Sequence, residues 1–80
     1  MLDTLQSARK VVGAKQVRRA LNDGKAVRVF LAEDADPRVT QPLLELCGEK
    51  NVPVEQAASM KELGKACGIA VGAAVAAEVR

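Results

Sequence analysis

From Ala26 to Pro37 the chain reads AVRVFLAEDADP, a run that holds a strand, a turn and the opening of a helix. The β-branched and apolar AVRVFLA segment predicts a central strand. Asp36-Pro37 then predicts a helix start, with Asp36 as the N-cap and Pro37 at the first helical position, where its missing N–H costs nothing. The apolar stripe of that helix is Val39, Leu43, Leu44, Leu46 and Cys47, and Pro42 lies close enough to the start to be tolerated.

The same alternation extends in both directions. Upstream, residues 14–22 form a helix with Val17, Ala20 and Leu21 on its core side, ended by Asn22-Asp23-Gly24. Val11 and Val12 fit a brief strand before it, and Leu2 to Lys10, apolar at Leu2, Leu5 and Ala8, reads as a short amphipathic helix. Downstream, residues 52–56 form a short strand, and Ser59 caps a helix whose Glu62 has capping-box spacing and which ends near Gly68. A last strand covers roughly residues 73–79. The alanine and valine stretch from Ile69 to Ala77 is about half the length needed to span a bilayer and reads more simply as a buried strand. Strands alternating with helices at short spacing predict an α/β fold: a three-layer α/β/α sandwich around a small mixed four-stranded sheet. With 80 residues, no repeat and no linker, residues 1–80 are expected to form one domain.

Composition narrows the function classes. Phe30 is the sole aromatic residue, so Ala, Val and Leu build the core and recognition of nucleic acid by stacked Phe and Tyr is excluded. Charge is uneven. Through Phe30, Arg9, Lys10, Lys15, Arg18, Arg19, Lys25 and Arg28 face only Asp3 and Asp23, whereas from Leu31 to Met60 the acids outnumber Arg38 and Lys50. This predicts one basic face. Glu33, Asp34 and Asp36 lack a histidine or a second carboxylate cluster, so no metal or cofactor is expected. Cys47 and Cys67 have neither CxxC spacing nor a histidine base and are expected to be small buried residues. No nucleophile has a base beside it and no phosphate-binding glycine motif is present, so an enzyme is not expected. The N-terminus lacks the apolar region of a signal peptide, which predicts a protein of the reducing cytoplasm with no membrane partner.

Between Val11 and Asn22, VVGAKQVRRALN puts a glycine turn before a helix that carries Lys15, Gln16, Arg18 and Arg19. The orphan N–H groups and dipole of a helix N-terminus attract phosphate oxygens. Cations in a first turn oppose that dipole, so stability alone would favour Asp or Glu there. Gly13 allows close backbone approach, and Gln16 offers the donor and acceptor suited to a base edge. These features point to nucleic acid; the alternative for the same residues is a solvated basic helix face.

The strings GAKQVRRAL, FLAEDADP, LCGEKNVPV and SMKELGKACGIAVGAA, in this order and spacing, resemble the ribosomal protein L7Ae superfamily, above all its small bacterial YbxF/YlxQ-like branch. The resemblance runs from about Ser7 to Val79. It implies a three-layer α/β/α fold and a non-catalytic protein that binds kink-turn RNA, a helix bent at a short internal loop beside tandem sheared G·A pairs. It implies association with a ribosome or ribonucleoprotein, and a monomer is expected. Gly13, Ala14, Lys15 and Gln16 match the family turn whose polar side chains meet the G·A pairs. In archaeal and eukaryotic members that turn reads Gly-x-Asn-Glu. The Lys-Gln pair of the bacterial branch replaces a charged acceptor with a neutral amide and adds a cation for phosphate. Arg19 takes the place of a backbone-contacting lysine. Ile69, Ala70 and Val71 match an apolar loop that shelters an unstacked nucleotide, although Ile69 and Val71 also read as core residues entering the last strand. Asp36 faces RNA in the resemblance, yet capping alone accounts for it. The rival from another class is a protein-interaction module within a ribonucleoprotein.

Overall fold

The AVRVFLA segment is a strand that alternates its side chains between two hydrophobic layers. Val29 and Leu31 enter one, Phe30 and Ala32 the other. The computed structural model describes residues 9–80. In chain order the elements are β1 (Lys10–Val12), α1 (Ala14–Asn22), β2 (Ala26–Ala32), α2 (Pro37–Lys50), β3 (Val54–Ala57), α3 (Met60–Cys67) and β4 (Val75–Val79).

The sheet order is β1-β4-β2-β3. Strand β2 runs parallel to β3 and antiparallel to β4, and β1 is antiparallel to β4, so the sheet is mixed as expected. Phe30 lies in register with Ala76, and Val29 with Ala77. The small side chains of β4 leave volume for the single aromatic ring. One face of the sheet is covered by α1 and α2 through Val17, Ala20, Leu21, Leu43 and Cys47. The other is covered by α3 through Leu63 and Cys67, completing three layers. Burial of Leu21, Leu43, Leu63, Val17 and Val29, each contributing about 1.5–3 kcal/mol, holds the layers together.

Several boundaries differ from the sequence reading. Of the expected helix from Leu2 to Lys10, residues 2–8 lie outside the described residues, and Lys10 is the first residue of β1. The third strand starts at Val54, not residue 52. The Val52 N–H completes the end of α2 by donating to Cys47 O, and Pro53 has no N–H for a ladder. The last strand starts at Val75, because the Ala73 N–H donates instead to Met60 O at the head of α3. Ile69 to Gly72 is an exposed loop, so only the C-terminal part of the Ile69–Ala77 stretch is buried strand. Leu44, expected on the core stripe of α2, is 40 % exposed, while Val39 and Leu46 are half-buried.

The topology gathers loops at one end of the molecule. Because β1, β2 and β3 are parallel to one another and antiparallel to β4, four connections meet at one end of the sheet. They are the β1–α1 turn, the β2–α2 turn, the β3–α3 turn and the α3–β4 loop. Hydrogen bonds stitch them together: Gly13 N–H to Val75 O, Ala32 N–H to Ala74 O, Glu33 N–H to Ala57 O and Met60 N–H to the Asp34 carboxylate.

Candidate nucleic-acid interface

Helix α1 is amphipathic: Val17, Ala20 and Leu21 are buried, whereas Lys15, Gln16, Arg18, Arg19 and Asn22 are exposed. Its N-cap, Gly13, has φ 103° and ψ 150°, a conformation essentially reserved for glycine. A Cβ at Gly13 would meet nothing within 4 Å, so the backbone angle and not packing requires glycine, and open space stands over the turn. No side chain caps α1 and its first turn holds no acid. The N–H groups of Ala14, Lys15 and Gln16 are therefore its orphan donors.

The other helices are closed. The Asp36 carboxylate accepts from Arg38 N at 2.9 Å, and Ser59 Oγ accepts from Glu62 N at 3.0 Å. Asp34 Oδ1 accepts from Met60 N at 2.7 Å, a second satisfied donor at the head of α3. Two members of the acidic run, Asp34 and Asp36, are thus occupied in holding helix starts, and among the described residues no group of His, Cys, Asp and Glu could hold a metal ion.

Lys15, Gln16 and Arg19 line a shallow groove along α1 that also includes Arg18, Asn22 and Asp23. Among the described residues, none of Lys15, Gln16, Arg18 and Arg19 uses its side chain in a hydrogen bond or ion pair. Their cations and amide face solvent uncommitted. Ala14 is half-buried against the core.

Ile69, Ala70 and Val71 are exposed, Val71 by 71 %, which overturns the alternative reading of Ile69 and Val71 as core residues. They line a separate groove with Lys61, Lys65 and Gly72. The α3–β4 loop is linked to the α1 turn through the start of β4, since Val71 is four residues from Val75, whose carbonyl receives the Gly13 N–H. At about 3.3–3.6 Å per residue, that separation is at most about 14 Å.

Asp36 lies at the same end but is committed. Its Oδ2 is 2.7 Å from Arg38 Nη2, and this hydrogen bond, followed by the Arg38 backbone N–H, holds its carboxyl below the usual carboxylate range. The two thiols are buried, and burial pushes both above their ordinary pKa; for Cys67 the nearby Lys10 charge works the other way. A raised thiol pKa reduces the thiolate needed for nucleophilic chemistry. Among the described residues no helix is long and apolar enough to cross a membrane.

Sequence reasoning placed Arg18 on the basic helix without a role of its own and left Asn22, Lys61 and Lys65 out of the candidate site. Asn22 could have been found from helical spacing to Lys15 and Arg19, whereas Lys61 and Lys65 join it only through the packing of the α3–β4 loop.

Comparison with known proteins finds relatives over nearly the whole chain. An RNA-binding protein of Geobacillus sp. (strain WCH70) is 54 % identical over 76 residues, covering 95 % of this chain and 93 % of that protein. The RNA-binding protein YbxF of Geobacillus stearothermophilus is 49 % identical over the same length and coverage. Among solved structures, the Giardia lamblia 15.5kD RNA binding protein superposes with a TM-score of 0.90 at 32 % identity, covering 99 % of this chain and 70 % of that one. A Bacillus halodurans protein of unknown function gives a TM-score of 0.89 at 28 % identity, with 99 % and 83 % covered. The profile of one family matches residues 2–80, almost the whole sequence. The chain belongs to the Ribosomal protein L7Ae/L30e/S12e/Gadd45 family.

Proposed function

We propose that the protein is a non-catalytic RNA-binding protein of the cytoplasm that recognises and stabilises a kink-turn, within a ribosome or another ribonucleoprotein. The observation that carries the reading is the open N-terminus of α1. Orphan backbone donors, two uncommitted cations at Lys15 and Arg19 and the free amide of Gln16 stand together on α1, and the exposed loop of Ile69 to Val71 leads into the strand to which the α1 turn is hydrogen-bonded. Relatives whose names describe RNA-binding proteins support the class of partner.

In this reading Gly13 and Ala14 bring the backbone close to the sheared G·A pairs. Gln16 reads a base edge, and Lys15 and Arg19 hold phosphates. Ile69, Ala70 and Val71 receive a nucleotide unstacked at the bend. Asp36 caps α2 with its exposed carboxylate, and the resemblance turns the same residue toward RNA. The kinked form exposes all these contacts together, so binding favours it over the extended form by population shift.

A titration against a kink-turn duplex, beside a control whose G·A pairs are replaced by Watson–Crick pairs, at two salt concentrations, tests this. Tight, salt-sensitive binding to the first and much weaker binding to the second is expected. Gln16→Ala should remove about 1–3 kcal/mol of that preference. Indifference between the duplexes would overturn the reading, and salt-insensitive capture of a protein partner would favour the interaction module.

A further inference from the structure

We infer that Lys61 and Lys65 form a second phosphate clamp, on α3, that grips the backbone of an unpaired RNA nucleotide whose base rests on Ile69 and Val71. The inference rests on the RNA reading above and extends the contact surface to a helix that the reading does not use.

The groove is built by close backbone approach. Ile69 N–H donates to Gly64 O and Ala73 N–H to Met60 O, so both ends of the α3–β4 loop are pinned to α3. A Cβ on Gly64 would collide with the Val71 carbonyl oxygen, and one on Gly72 would stand 3.2 Å from Met60 Cβ. Two glycines thus let the loop lie directly on the helix. Ile69 and Val71 are held outward, 38 % and 71 % exposed, in a loop that cannot fold them inward without leaving α3.

Lys61 and Lys65 border this apolar shelf. They stand at i and i+4, a like-charge spacing that destabilises a helix; Lys61 in the first turn opposes the dipole, whereas Lys65 in the last turn suits it. Neither makes an ion pair or side-chain hydrogen bond among the described residues. An apolar shelf edged by two ammonium groups is complementary to a nucleotide, with its flat base and charged phosphate. It does not suit an apolar peptide segment, which would leave both cations beside it unanswered. The groove, about 280 Å³, is just below the usual size of small-ligand pockets, a scale that suits one base-sized group and not a duplex stem.

The test compares wild type, Lys61→Gln/Lys65→Gln and Lys61→Arg/Lys65→Arg. The probes are a kink-turn duplex with its internal-loop nucleotides intact and the same duplex with those nucleotides deleted. Each single-strand phosphate contact contributes about 0.7 to the slope of log affinity against log salt. The glutamine pair should therefore lose about 1.4 of slope and five- to twentyfold in affinity on the intact loop, with the arginine pair near wild type. On the deleted loop all three proteins should bind alike. An unchanged slope on the intact loop, or an equal loss on both RNAs, overturns the clamp. Failure of the wild type to prefer the kink-turn over its Watson–Crick control overturns the function reading itself and the clamp with it. All the substituted side chains are exposed, so equal melting temperatures are the folding control.

Discussion

Gly64→Ala sets two well-characterised effects against each other. Gly64 is inside α3, and alanine there gains about 0.8–1.0 kcal/mol of helix propensity. The new methyl would overlap the Val71 carbonyl oxygen and approach Gly72 Cα to 3.1 Å, both backbone atoms of a loop hydrogen-bonded to the same helix. Overpacking typically costs about 1–3 kcal/mol, and a backbone obstacle puts this site in the upper half of that range. The net expectation is a loss of about 1–2 kcal/mol. In a domain this size that lowers Tm by roughly 5–15 °C. With no Trp or Tyr, unfolding is best followed by far-UV circular dichroism in urea and on heating. The urea midpoint should fall at constant m-value. A Tm equal to or above wild type would mean that the loop lifts from α3 at no cost, and would refute the close-packing argument on which the outward display of Ile69 and Val71 depends.

Other expectations follow from packing and titration. Leu43→Ala, at a fully buried position, should cost about 2–5 kcal/mol by urea denaturation, whereas Leu44→Ala next to it, 40 % exposed, should cost less than about 1 kcal/mol. Asp36 has its folded-state pKa lowered by Arg38, so its contribution is present above the unfolded value and lost as pH falls through the folded one. Asp36→Asn keeps a capping oxygen but not the charge, so the stability gap between wild type and variant should close on acidification below about pH 4; a gap constant with pH would refute the pairing. Cys47 and Cys67, buried with raised pKa values, should react with a thiol reagent at neutral pH far more slowly than in urea, and fast labelling of the native protein would contradict their placement.

Local chemistry made much of the fold legible. Asp36 and Ser59 announce helix starts because a cap is a contact within three residues, and β2 is readable because its composition suits both layers at once. The candidate site at Gly13–Gln16 was legible for the same reason, a turn and a first helical turn in one string. What escaped depends on distant partners. Asp34 caps α3 across 26 residues of sequence, so the acidic run could only be weighed as a cluster. Leu44 fits the apolar period of α2, yet periodicity does not say how wide a face the neighbouring elements cover. The exposure of Ile69 and Val71 is set by Gly64 and Gly72 meeting across the α3–β4 loop, and an apolar run reads the same whether it enters a sheet or crosses a helix.

The unequal treatment of the three helix starts is where fold and function meet. Helices α2 and α3 receive side-chain caps from Asp36, Ser59 and Asp34, whereas α1 receives none and carries Lys15 in its first turn. A missing cap costs about 1 kcal/mol and a cation against the dipole about 0.3–1 kcal/mol. Against this, Val17 and Leu21 are 0 % and 1 % exposed and together contribute about 3–6 kcal/mol, and the Gly13 N–H is tied to β4. The position of α1 is therefore fixed from its buried side and from its turn, not from its N-terminal donors. Those donors are free for an outside anion without loosening the helix, and an anion bound there supplies the cap that the sequence omits. Under the proposed function, phosphate bound at α1 would stabilise α1, so RNA that occupies the site should raise the unfolding temperature of the protein as it binds.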